Sequence, residues 1–130
     1  MLEKVHKLKI MKDEHHKFVL TKAGVNSLYL FEIEKWGEFV EKLEMLPITI
    51  NRLARDYKRF FMGNAFEVEV DAQQEIEIPA VLWEYLMSGK EDGEIEVLKI
   101  SDYLKNPDYE IKDYQMRHEE YELLVIAVKK

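Results

Sequence analysis

The stretch Val68-Glu69-Val70-Asp71-Ala72-Gln73-Gln74-Glu75-Ile76-Glu77-Ile78-Pro79 decides the fold class of this chain. Val68, Val70, Ile76 and Ile78 alternate with Glu69, Glu75 and Glu77. A period of two puts one set on a core face and the other on a solvent face. The pattern predicts a hairpin of two short strands, 66–70 and 75–78, whose four apolar residues face the core. Its tip carries Gln-Gln-Glu where a glycine is the usual choice for a left-handed turn position.

Outward from this hairpin, Pro79 suits the first turn of a short helix over 80–87. Upstream, 17–21 and 27–31 read as strands joined by a turn at Ala23-Gly24-Val25-Asn26. Trp36, Phe39, Val40, Leu43 and Leu46 recur at helical spacing, and Pro47 ends that helix. Ile50, Leu53, Ala54, Tyr57, Phe60 and Phe61 form the apolar stripe of a second helix. Thr49 is its expected cap, and Gly63 and Asn64 its expected left-handed stop. Trp36 and the Phe60-Phe61 pair read as core and not as platforms for stacked bases. Downstream, 94–100 reads as a strand, Asn106-Pro107-Asp108 as a turn, and 109–116 and 121–128 as two further strands. Strands, two helices, a hairpin, a short helix and more strands make an α+β chain and not a regular α/β alternation.

The 130 residues suit one domain with one substantial core. No apolar run reaches the ~18 residues of a membrane span, and the N-terminus lacks a signal peptide's apolar stretch. With no cysteine, disulfides and thiol chemistry are excluded. A cytoplasmic location without membrane association is expected.

The net charge of −7 disfavours a phosphate partner, but its distribution is uneven. Residues 1–22 hold six lysines against Glu3, Asp13 and Glu14, a balance of +3. Residues 50–62 hold Arg52, Arg55, Lys58 and Arg59 against Asp56, again +3. Residues 63–98 hold ten acids against Lys90, a balance of −9. Such blocks pair within the chain, between subunits or with a basic protein partner. Arg52, Arg55 and Arg59 stand at i, i+3 and i+7, with Lys58 beside them, on one helix face. That face either follows the phosphates of double-stranded DNA or is a solvated, ion-paired surface.

Other constellations carry less. Glu14, His15 and His16 lack a second ligand pair at zinc spacing, so no metal is expected. His6 and His118 stand alone and read as surface residues. Glu67, Glu69, Asp71, Glu75 and Glu77 alternate with apolar residues, as on the polar face of a half-buried hairpin, and not as an acid and base in contrasting environments. There is no phosphate-binding glycine loop. Neither a cofactor nor an enzymatic activity is expected.

An ordered set of residues carries a family resemblance. It runs through Leu28-Tyr29-Leu30-Phe31, Trp36, Leu43, Leu46-Pro47, Arg55 to Ala65 (RDYKRFFMGNA), Val70-Asp71 and Ile76 to Leu86 (IEIPAVLWEYL). Over residues 18–100 this set resembles the MraZ family of the AbrB-like swapped-hairpin superfamily. The resemblance implies an AbrB/MraZ-like swapped-hairpin (double-split) β-barrel with flanking helices. It also implies two tandem strand–loop–strand–helix copies, ring-forming homo-oligomers, and transcriptional regulation through repeated DNA boxes upstream of division and cell-wall genes. Arg55 and Arg59 match the family's second-helix pattern.

The family's signature loop is Asp-x-x-Gly-Arg. Here Asp71 keeps the first position, Gln74 replaces glycine and Glu75 replaces arginine. An arginine donates to bases or phosphates, whereas a glutamate only accepts and is repelled by phosphate. A loop without glycine at Gln74 is expected to take another shape. Only residues 1–17 precede Phe18, so 1–10 is expected to supply a helix alone, without the first hairpin and its loop. The chain is thus read as one domain, 1–130. It comprises a shortened first repeat (1–47), a second repeat (48–100) and C-terminal strands (101–130). The function expected is a divergent MraZ-like regulator with weakened or altered DNA binding. The alternative is an oligomeric interaction module that has lost DNA binding.

Overall fold

The computed structural model describes residues 5–10, 17–47, 49, 51–90 and 93–129. Elements follow in the order β1 (His6–Lys9), β2 (Lys17–Lys22), β3 (Ser27–Glu32), α1 (Ile33–Glu44), α2 (Arg52–Met62), β4 (Phe66–Glu69), β5 (Glu75–Ile78), α3 (Ala80–Met87), β6 (Ile95–Lys99), α4 (Ile100–Lys105), a 3-10 helix (Asp113–Tyr121) and β7 (Leu124–Val128). The class is α+β, with every strand pair antiparallel. Among the described residues the strands form a five-stranded sheet, β4-β2-β3-β7-β6, and a separate β1-β5 pair, with no closed barrel. No helix among these residues is long and apolar enough to cross a membrane.

The larger sheet is buried on both faces, which explains the unbroken apolar runs of β3 and β7. Tyr29, Phe31, Val125 and Ala127 join Phe39 and Leu43 of α1, Phe61 of α2 and Tyr103 of α4 in one cluster. Their alternating neighbours Leu28, Leu30, Ile126 and Val128 join Val70, Ile76, Ile78, Leu82 and Leu86 in another. Three layers result: helices, the five-stranded sheet, then α3 with the β1-β5 pair. His6 of β1 stacks on Trp83 of α3 at 3.9 Å. Asn26, left-handed in the β2–β3 turn, donates to the carbonyls of Leu86 and Ser88 and so caps α3.

Several expectations are corrected. β4 and β5 do not pair with each other. Phe18 of β2 faces Val68, and Leu8 of β1 faces Ile76. The period-two signal located the buried face correctly, since Val70, Ile76 and Ile78 are buried and Val68 packs against them. Alternation does not specify which strand lies alongside. Residues 6–9 of the expected N-terminal helix are a strand paired with β5. Within the C-terminal strands expected over 101–130, only Leu124–Val128 is extended, and the expected strand 109–116 runs into the 3-10 helix. Three residues per turn bring Gln115, His118 and Tyr121 onto one inward row. A polar inward row carries no hydropathy signal. Gly24 leaves room where the β2–β3 turn crosses this row, because a Cβ there would collide with the buried Gln115 side-chain amide unless that amide shifted.

Candidate nucleic-acid interface

Helix α2 starts at Asn51, whose side chain accepts from the Ala54 amide, and not at Thr49. Gly63 stays right-handed at φ −77°, and Asn64 Nδ2 ends the helix by donating to the Phe60 carbonyl. The buried Thr21 hydroxyl donates to the Phe61 carbonyl from the sheet. Phe61 is buried, and Tyr57 and Phe60 are half-buried against the same cluster. Leu53, placed by periodicity on the apolar stripe, is 79% exposed. Ile50 lies outside the described residues.

The opposite face carries the candidate cations. Arg52, Arg55 and Arg59 are exposed, and Lys58 is half-buried beside them. Arg52 lies 3.9 Å from Asp56, a long exposed i,i+4 pair of little energetic weight. The i, i+3, i+7 row is therefore open to solvent along about two turns.

The signature loop lies elsewhere. Its flanking Val70 and Ile76 belong to the cluster beneath the other sheet face, so the fold does not merge loop and stripe into one site. Asp71 organises the loop. Its Oδ1 accepts from the Gln73 and Glu75 amides, each at 2.9 Å. Its own amide donates to the Glu75 carbonyl, and the Gln74 amide donates to the Asp71 carbonyl. The Glu75 amide, then the Gln73 amide and Lys7 Nζ at 3.6 Å, hold the Asp71 carboxyl below the usual aspartate range. Gln74 sits at φ 62°. Gln74 thus takes a positive-φ position of the kind that usually favours glycine, held there by the Asp71 bonds. The Gln74 carbonyl also accepts from the Ile10 amide, tying the loop to the end of β1.

The acidic hairpin meets the basic N-terminal block within the chain. Lys9 faces Glu75, Lys7 faces Glu77, and Lys17 faces Glu69 across the ladders. Opposite charges in register favour this pairing over slipped alternatives. Among the described residues no comparable partner faces Arg55 or Arg59.

Neither His6 nor His118 is the free surface residue expected. His6 is half-buried under Trp83, and His118 is 2% exposed. His118 Nε2 lies 2.5 Å from the Tyr57 hydroxyl of α2, and Nδ1 lies 3.1 Å from the Tyr29 hydroxyl of β3. Phe39, Phe61 and Tyr121 surround its ring. Burial lowers its pKa to about 4 and raises that of Tyr57 to about 12. No sequence signal marked this histidine, because its partners are distant in the chain.

Among the described residues no group of three or more metal-ligating side chains converges, and Glu14, His15 and His16 lie outside them. A surface hollow of about 570 Å³ is lined by Glu32, Lys35, Lys99, Glu119 and Glu122 among others, and its lining includes neither stripe nor loop.

No protein-family model matches the chain. Curated relatives do. A protein named transcriptional regulator MraZ from Alkaliphilus oremlandii is 43% identical over 74 residues, covering 57% of this chain and 51% of the relative. One of the same name from Caldanaerobacter subterraneus subsp. tengcongensis is 45% identical over 69 residues, 53% of this chain and 48% of the relative. Another from Clostridium botulinum is 41% identical over 91 residues, 70% of this chain and 63% of the relative. The chain spans about half the length of the first two relatives and somewhat more of the third.

Proposed function

We propose that the chain is a divergent transcriptional regulator of the MraZ kind, a reading supported by its 41–45% identity to relatives of that name, and that it meets double-stranded DNA mainly through the basic face of α2. The observation that carries this reading is the contrast between its two candidate sets. The loop keeps the Asp71-anchored, left-handed geometry but presents Glu75 in place of an arginine. The row Arg52, Arg55 and Arg59 is exposed. Phosphate attraction then resides on α2, and base reading at the loop is weakened or changed. The architecture is read as a split swapped-hairpin barrel, supported by β4 and β5 pairing with β2 and β1 and not with each other.

The test is binding to DNA from upstream of the protein's own operon, followed by fluorescence anisotropy across a salt series. Arg55→Ala with Arg59→Ala flattens the log–log salt slope by about one unit per lost phosphate contact. Gln74→Gly with Glu75→Arg steepens it. Binding that is tight, sequence-specific and indifferent to both arginines, but weakened by Glu75→Ala, refutes the assignment to α2.

One observation favours a second reading. Glu67, Glu69 and Glu77 are exposed, a surface suited to a basic protein partner or a second subunit. A homo-oligomeric interaction module is then the outcome if no DNA is bound at low salt.

A further inference from the structure

The 3-10 helix is joined to the rest of the protein by a buried polar row, which is an unusual use of core space. Gln115 is fully buried, accepts from the Lys112 amide at 2.8 Å and donates to the Tyr103 hydroxyl at 3.4 Å. One position along the row, His118 touches two hydroxyls from two different elements. Phe61 is the one fully buried side chain of helix α2, and the Tyr57 contact with His118 adds a second inward anchor. We propose that His118 is a positioning residue for the basic face of α2, holding the helix against the sheet only while its imidazole is neutral, so that acidification releases α2 and the 3-10 helix together.

The geometry supports this in three ways. A neutral imidazole has one donor and one acceptor nitrogen, and a hydroxyl can serve either, so Tyr57 and Tyr29 satisfy it completely. A second proton places a charge in a box of aromatic rings with no carboxylate in contact, which burial penalises. The charged groups near it do not offset this. On its own helix Arg117 opposes protonation, and Glu120 favours it but is bonded to Lys42 of α1 at 2.7 Å. From β3 and α2 come only Tyr29, Tyr57 and Phe61, from α1 Phe39, and from the 3-10 helix also Tyr114 and Tyr121. The bearing on DNA rests on the reading of α2 given above. The clamp itself does not.

Amide hydrogen exchange of the full chain, corrected for intrinsic rates, tests the clamp without DNA. Between about pH 7 and pH 4.5, protection of 52–62 and 113–121 in the wild type falls by about tenfold or more, while 27–32 keeps its protection. His118→Phe keeps a ring of similar size without a titrating group, and its α2 protection is the same at both pH values. A fall that is absent, that includes 27–32 equally, or that persists in His118→Phe overturns the proposal. Should that variant not fold, the wild-type imidazole is titrated by NMR, with His118 assigned through its contacts to the Tyr29 and Tyr57 rings. A midpoint at the ordinary histidine value overturns the proposal as well. A clamp seen in exchange with no DNA bound at neutral pH removes the regulator reading alone. DNA binding through α2 without a pH-dependent clamp removes this inference alone.

Discussion

Two residues show how local chemistry is bent to tertiary need. Gln74 occupies a left-handed backbone position that costs a residue with a Cβ about 1 kcal/mol or more. The Asp71 bonds to the Gln73 and Glu75 amides hold it there. Gln74→Gly relieves that cost and raises stability by roughly 0.5–1 kcal/mol, read as a rise of a few degrees in melting temperature. An unchanged or lower melting temperature speaks against a strained loop. His118 gives a second prediction at this scale. Its folded pKa of about 4 lies below the ordinary histidine value, so the unfolded chain takes up the proton first as pH falls. Stability is therefore full above about pH 6.5 and declines on the way down to about pH 4, by on the order of 3 kcal/mol. Urea unfolding across this range shows the decline in the wild type and a smaller one in His118→Phe. Lowered carboxyl pKa values at Asp71, Glu96 and Glu120 act in the same direction but at lower pH, and remain in the variant.

At the scale of elements, β2, β3, α1, α3 and most of β6 were legible because each is an apolar run, helically spaced in α1, bounded by a turn or proline signal. The hairpin's buried face was legible for the same reason, while its pairing was not. Which edge β4 and β5 present to which strand is decided by β1 and β2, far away in sequence. The 3-10 helix was misread because its inward residues are Gln115, His118 and Tyr121, and α4 went unread between the strand expected over 94–100 and the turn at 106–108. Of the candidate site, the spacing of the arginines placed them on one helix face, and their exposure suits a phosphate-tracking face and a solvated one alike. The positive φ of Gln74 was not legible, because a side-chain carboxylate holds the position where glycine's freedom would be expected. Helix α2 also ends on a tertiary bond that no local rule foresees, from the Thr21 hydroxyl to the Phe61 carbonyl. Thr21→Val keeps the shape and deletes that donor inside the core. It lowers stability by about 1–2 kcal/mol and speeds exchange at the C-terminal end of α2 more than at its start. Equal effects at both ends would assign the loss to β2 packing instead.

For the whole molecule, the question is what covers the two edges of the five-stranded sheet. At one edge, β4 exposes Glu67 and Glu69, charges that discourage pairing with another chain. At the other edge, β6 carries half-buried Ile95, Val97 and Leu98 and only Glu96 and Lys99 as charges. Glu96 is already engaged by the Tyr109 hydroxyl and Lys129. An edge of this kind is normally covered, and the prediction is a homo-oligomer in which a second copy of the chain covers it, a dimer being the simplest form. Association at β6 rests on apolar burial and main-chain bonds, whereas association of the α2 arginines with the exposed glutamates of another copy rests on charge. Salt separates the two, because screening at about 1 M shrinks the Debye length to roughly 3 Å and leaves apolar burial intact. Light scattering is expected to give the mass of a dimer at low salt and the same mass at high salt. A dimer that dissociates as salt rises moves the interface to α2 and the acidic face, and removes α2 from contact with DNA in the assembled protein. A strict monomer at high concentration defeats the oligomer prediction at either surface.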